Sequence, residues 1–172
     1  LEWYDFFLFG TAAALVFNDL FFSDASETTA TLASFATLGV GFLARPFGAI
    51  IFGQIGDRMG RRPALLISIV TIGVATGLIG LLPNYNSIGI WAPIALTILR
   101  LVQGIAVGGE WGGATTMAIE HAPAEKRGRY AAFVQIGSPA GTLLSSGAFS
   151  LVLMLPEDAV SSWGWRIPFL IA

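Results

Sequence analysis

The chain has 172 residues, of which 55% are hydrophobic and 12% charged, and its mean hydropathy is +0.73. Soluble domains are about a quarter charged. There is no cysteine, and 9 Lys+Arg stand against 11 Asp+Glu for a net charge of −2. This balance excludes a disordered chain, a collagen, a disulfide-stapled secreted domain and a nucleic-acid binder, and leaves a multi-spanning membrane protein. A transmembrane helix needs about 20 mostly apolar residues. The sequence predicts an all-α, polytopic fold with five such spans, near 1–22, 32–55, 64–82, 92–119 and 130–155, and the start of a sixth near 164. Polar or turn-rich segments separate them at 23–27, 57–63, 83–87, 121–129 and 156–158. The uncharged run 64–99 is too long for one helix, and Pro83 with its Asn-rich neighbours divides it. Pro46 and Pro139 are expected to bend the second and fifth spans.

Charge placement sets the orientation. Arg58, Arg61, Arg62, Lys126, Arg127 and Arg129 fall in the 57–63 and 121–129 loops, while the alternate loops carry only Asp24, Glu27, Glu157 and Asp158. By the positive-inside rule the basic loops face the cytoplasm, and the first span runs from inside to outside. A soluble bundle would need polar faces at the helical period, which Leu65 to Leu82 lacks.

The charges left inside the spans are Glu2, Asp5, Asp19, Arg45, Arg100, Glu110, Glu120 and Arg166. An ionisable group in a bilayer core costs a few kcal/mol, so such groups face a bundle interior and pair there. At about 1.5 Å per residue from the outer end, Asp5 lies about 26 Å deep, Arg45 about 20 Å, Glu110 about 27 Å and Arg100 about 12 Å. Gln103 falls one turn below Arg100, and Gln135 returns to the deeper level from the cytoplasmic side. Two uses fit these residues. One is an inward-facing polar cavity in which Arg45 balances Asp5 or Glu110 and the carboxylates take up and release protons. The other is a set of static ion pairs tying helices together. Trp3, Tyr4 and Trp111 stand beside the acids, as aromatics do in small-molecule pockets.

Other patterns carry less. Gly39-Val-Gly41-Phe-Leu-Ala44 matches G-x-G-x-x-A but sits inside an apolar span with no preceding strand, so no cofactor is expected. Gly73/Gly77, Gly104/Gly108, Gly108/Gly112, Gly109/Gly113 and Gly137/Gly141 have the spacing that lets helices approach closely. The single histidine, His121, lies in a loop, so no metal site is expected. No nucleophile–base set can be assembled for an enzyme.

Gly53-Gln-Ile-Gly-Asp57-Arg58-Met-Gly60-Arg61-Arg62 resembles the G-x-x-x-D-R-x-G-R-[KR] motif between helices 2 and 3 of major facilitator superfamily transporters. Gly60 suits a tight turn, Asp57 can pair with Arg61 four residues on, and the basic run anchors the loop in the cytoplasm. Arg100-Leu-Val-Gln-Gly104 is similar to the R-x-x-x-G motif of helix 4. Glu2-Trp3-Tyr4-Asp5-Phe6, Arg45-Pro46-Phe47-Gly48, Gly108-Gly109-Glu110-Trp111-Gly112-Gly113-Ala114, Lys126-Arg127-Gly128 and Trp163-Gly164-Trp165-Arg166-Ile167-Pro168-Phe169 narrow the resemblance. It narrows to the metabolite:proton symporter branch, with its shikimate, proline/betaine, citrate and 2-oxoglutarate carriers.

The resemblance implies twelve helices in two six-helix halves that rock about a midplane site. Residues 1–172 would be the N-terminal bundle, incomplete at both ends and lacking the C-terminal half. The first residue is Leu1, with no Met or signal peptide, and the last four lie in an apolar run. The resemblance also implies that Asp57 and Arg61 belong to a cytoplasmic latch and that Arg100 takes part in proton coupling or charge balance. Asp19 stands where a basic or neutral residue is expected. The reading is a secondary active transporter of the cell membrane, moving a small polar or carboxylated metabolite with protons. The alternatives are a proton-independent facilitator and a compatible-solute (betaine/proline) carrier. Asp5, Glu110 and Arg100 are the proton-coupling candidates, and Trp3, Tyr4, Arg45, Gln103, Trp111 and Gln135 the substrate-cavity candidates.

Overall fold

The structure, a computed structural model, describes residues 2–120 and 122–172, with the side chains of 111–120, 124 and 134 outside the description. The described residues are mostly helical, with no strand among them. In order they form α1 (Glu2–Leu15), α2 (Phe17–Phe21), α3 (Glu27–Met59), α4 (Arg61–Leu81), α5 (Tyr85–Ile88), α6 (Trp91–Glu120), α7 (Arg127–Val152), α8 (Glu157–Ser162) and α9 (Ile167–Leu170). Single 3₁₀ turns at Ala124–Lys126 and Gly164–Arg166 lead into α7 and α9. Among the described residues three helical stretches are long and apolar enough to cross a membrane: α3, α4 and Trp91–Glu110 of α6.

Helices cover the predicted spans with shifted ends, although only three of them meet the length and hydropathy of a membrane crossing among the described residues. The first predicted span is divided at Val16, whose φ of −133° leaves the helical region. Beyond it Asn18 turns toward α3, where its Nδ2 donates to Thr31 Oγ1 (2.9 Å) and its Oδ1 accepts from Ser34 Oγ (2.8 Å). α3 starts five residues before the predicted 32 because Ser26 caps it, accepting from the Thr29 N–H. The predicted 57–63 loop reduces to one residue. α3 runs to Met59 and α4 starts at Arg61, with Gly60 between them at φ 96°, a backbone region that only glycine enters freely. Asp57 and Arg61 thus stand on either side of this turn, on different helices. Pro46 and Pro139 lie inside continuous helices. α7 begins at Arg127, so Arg127 and Arg129 form its first turn instead of a loop. His121 lies outside the described residues.

Glycines decide the closest packing, where α6 lies against α3. A Cβ on Gly48 would collide with the Ile105 carbonyl, on Gly104 with the Gly41 carbonyl, and on Gly108 with the Arg45 carbonyl. Gly109 leaves room for Phe52, and a Cβ on Gly141 would come within 2.8 Å of the Tyr4 backbone nitrogen where α7 crosses α1. Gly73, Gly77 and Gly137 meet nothing within 4 Å. The small-residue spacing therefore marks real contacts on α6 and at Gly141, but not on α4, a correction to the pattern reading. Gly112 and Gly113 lie in the stretch 111–120, beyond the described side chains.

A buried apolar core runs along α1 and α2. Phe9, Phe17, Phe21, Phe149, Trp165 and Phe169 are buried together, and the last helices of the chain close over them. Arg166 ties this end down. Its Nη1 donates to the carbonyls of Gly80 (3.0 Å) and Leu82 (2.7 Å) at the C-terminal end of α4, while the guanidinium lies 4.6 Å from the Trp165 ring centre. A cation there satisfies carbonyls that the helix end leaves free. Arg166→Leu is expected to lower stability in detergent by about 2 kcal/mol. A loss below about 0.5 kcal/mol would show that water replaces the guanidinium. Exposed apolar side chains such as Leu43, Val70, Leu143 and Met154 cover the outside of the bundle. Water tolerates few such contiguous surfaces, whereas lipid accepts them.

Candidate functional site

Three helices meet at a small charged chamber. α1 supplies Glu2 and Asp5 one turn apart, α3 supplies Gly41 and Arg45, and α6 supplies Arg100 and Gln103. The chamber holds about 10 Å³, room for about one water molecule. Asp5, Arg100 and Gln103 are 4%, 5% and 2% exposed.

Each charge has its own environment. Arg45 Nη1 pairs with Glu2 Oε1 at 3.0 Å, and its guanidinium lies 4.3 Å from the Phe42 ring centre. The counterweight of Arg45 is therefore Glu2, not the expected Asp5 or Glu110. Arg100 packs its guanidinium 4.4 Å from the Phe9 ring centre and donates from Nη1 to Gln103 Oε1 at 2.9 Å. Gln103 Nε2 donates to Thr76 Oγ1 at 2.7 Å, and the Thr76 hydroxyl donates to the Ile72 carbonyl at 2.8 Å. Gly41 makes room for this arrangement, since a Cβ there would stand 2.8 Å from Arg100 Nε. Neither carboxylate oxygen of Asp5 has a hydrogen-bond partner among the described residues, and Arg100 Nε is also unpartnered. Asp5 and Arg100 feel each other's field, yet no ion pair joins them among the described residues. Thr76 also interacts with Asp5, but in this geometry its proton lies on the Ile72 carbonyl.

The remaining candidates are dispersed. Glu110 is half-buried with one oxygen, Oε2, unpartnered among the described residues. It does not line the chamber. Trp3 packs on Phe6 and Phe7, and the Tyr4 hydroxyl donates to the Pro168 carbonyl at 2.9 Å. Gln135 is exposed on α7. The Trp111 side chain lies outside the described residues. The depth estimate separates Arg100 from Asp5 by about 14 Å of helix rise, yet both side chains line the same chamber. The break at Val16 shortens the first helix, and the long arginine side chain reaches down α6. Sequence reasoning missed Thr76, which sits in the uncharged run 64–82, and Phe9. Glu2 was visible only as one of several buried charges.

At the Gly60 end of the bundle, Asp57 and Arg61 line a second cavity of about 300 Å³ together with Gly53, Gly56 and Gly108. Arg58 and Arg62 are exposed beside it.

The profile of the family described as "Sugar (and other) transporter" matches residues 1–172. The chain belongs to this transporter family, within the major facilitator superfamily. The family is one of transporters, not enzymes. Among relatives, the chain is 53% identical over 173 residues to the shikimate transporter of Escherichia coli K12, covering 100% of this chain and 40% of that protein. It is 46% identical over 173 residues to the inner membrane metabolite transport protein YhjE of the same organism, covering 39% of that protein. To the E. coli K12 proline/betaine transporter it is 42% identical over 173 residues, covering 34%. The chain thus spans about 40% of the length of the curated relatives it matches. The inward open xylose transporter XylE of E. coli superposes with a TM-score of 0.81 at 22% identity, over 98% of this chain and 41% of that one. The fold is therefore that of the N-terminal part of a major facilitator superfamily transporter.

Proposed function

We propose that this chain is the N-terminal bundle of a proton-coupled symporter for a small polar or carboxylated metabolite. The observation that carries the reading is the chamber. Two acids and two arginines from three helices share one small space, and Asp5 stands there without a hydrogen bond or an ion pair among the described residues. An ionised carboxylate in that position costs several kcal/mol, whereas a protonated one does not. The geometry therefore suits a group that carries a proton. Static pairing alone would give Asp5 a partner, as it gives Arg45 to Glu2.

On this reading α1 with α2, α3, α4, α6 and α7 are five membrane spans, and α9 opens a sixth. The basic ends around Gly60 and Arg127 face the cytoplasm of a cell whose inner membrane holds the protein. A C-terminal half completes the site and rocks against this bundle in alternating access. Asp57 and Arg61 belong to the latch at the cytoplasmic end. Arg45 and Arg100 supply positive charge toward a carboxylated substrate. Similarity to the shikimate and metabolite transporters supports an organic acid as substrate, and similarity to the proline/betaine transporters keeps a zwitterionic solute as the second reading.

The test is uptake by the complete transporter in proteoliposomes, with labelled shikimate, proline and glycine betaine as separate probes. An imposed inward proton gradient is expected to drive accumulation of one of them, and a protonophore to abolish it. Accumulation to equilibrium only, at the same rate with and without the gradient, would establish a facilitator instead.

A further inference from the structure

The hydrogen bonds around Arg100 run in one direction. The Thr76 hydroxyl spends its single proton on the Ile72 carbonyl, so toward Gln103 it can only accept. That fixes the Gln103 amide, with NH₂ on Thr76 and oxygen on Arg100. Turning the amide over would set NH₂ against a guanidinium and oxygen against an oxygen with no proton to give. Gln103 is thus held as an acceptor aimed at a cation, in a space where it is 2% exposed. Asp5 lines the same chamber and offers the same guanidinium a stronger, charged acceptor, yet the arginine is on the glutamine.

We propose that Gln103 is a positioning residue that competes with Asp5 for Arg100, holding the guanidinium away from the carboxylate while Asp5 carries its proton. When the proton leaves, the carboxylate draws Arg100 off the glutamine, and the uncharged amide releases it at small cost. A charged acceptor in place of Gln103 would hold the arginine permanently. Having none would leave it always on Asp5. A neutral acceptor, its direction set from a third helix by Thr76, permits both states. The inference rests on the proton-carrying role of Asp5 and deepens it.

The charged and titratable groups around Asp5 are Glu2 and Tyr4 on its own helix, Arg45 on α3, and Arg100 and Glu110 on α6. From α4 the neutral Thr76 faces it. The test is infrared titration of the complete transporter in lipid, following the carboxyl C=O band that Asp5→Asn removes. With Gln103→Leu, Arg100 loses its alternative partner and settles on Asp5, so the band is expected to titrate about one pH unit or more lower than in the wild type. Gln103→Asn keeps the amide but cannot reach both Arg100 and Thr76, and is expected to shift in the same direction. Thr76→Ser, which keeps the hydroxyl, is expected to leave the midpoint in place. Unchanged midpoints in both Gln103 variants, even with lowered thermal stability, would overturn the proposal and leave Gln103 a packing residue. A wild-type protein with no titrating Asp5 band would overturn it too. The titration needs no substrate, so a shifted midpoint combined with uncoupled uptake would sink the symport reading while the competition stands.

Discussion

Gly108→Ala is expected to cost about 3 kcal/mol or more, at the top of the range for overpacking, and to be seen as lost monodisperse protein and a much lower melting temperature. The reason is what the new methyl meets. At Gly108 it runs into the Arg45 carbonyl, at Gly48 into the Ile105 carbonyl, and at Gly104 into the Gly41 carbonyl. These are backbone atoms of the facing helix, which cannot rotate aside as a side chain can. Relief requires α3 and α6 to separate, and that separation opens the chamber between Arg45 and Arg100. Gly77→Ala on α4 is the matched control, since nothing lies within 4 Å of its missing Cβ. There the substitution is expected to gain about 0.5–1 kcal/mol from helix propensity alone. Similar melting temperatures for the Gly108 and Gly77 variants would mean that the close approach of α3 and α6 is not what holds the bundle.

These two glycines also mark where the sequence was readable. Both Gly73/Gly77 and Gly104/Gly108 carry the small-residue spacing, and nothing in the spacing separates the face that meets a helix from the face that does not. Helix positions were legible because about 20 apolar residues between polar breaks is a physical requirement, and the break at Pro83 follows from chain chemistry alone. The end of α3 was legible only in part. The glycine at 60 was readable as a turn, but not that a single residue suffices for it. The site was legible as a set of buried charges and illegible as pairs. Pairing depends on helix rotation and side-chain reach, so Arg45 was assigned Asp5 or Glu110 where Glu2 pairs with it, and Arg100 was not placed beside Asp5. Thr76 carries no charge and stands in an apolar run, so only the fold reveals that it orients Gln103.

Asp5→Asn, on the proposed reading, is expected to abolish gradient-driven accumulation while leaving substrate exchange in place. One pH unit is worth about 1.4 kcal/mol per proton, so one-proton symport of a neutral species can concentrate it about tenfold across that gradient. The variant should bring this ratio to about one. Asparagine resembles the protonated acid in shape and charge, so it leaves Arg100 on Gln103 and the chamber closed. The bundle can still turn over with substrate, but no proton leaves with it. Arg100→Leu acts differently, because it removes the one cation that lies on Phe9 and Gln103 beside the acid. It should weaken exchange as well as accumulation. Glu110→Gln is the discriminating partner. Glu110 is less buried, and its Oε2 is buried without a partner among the described residues, as are both oxygens of Asp5. If the chamber is where the proton rides, Glu110→Gln retains a measurable accumulation ratio that Asp5→Asn does not. The reverse ranking would move the proton site to Glu110, outside the chamber, and wild-type accumulation in both variants would remove the two acids from coupling altogether.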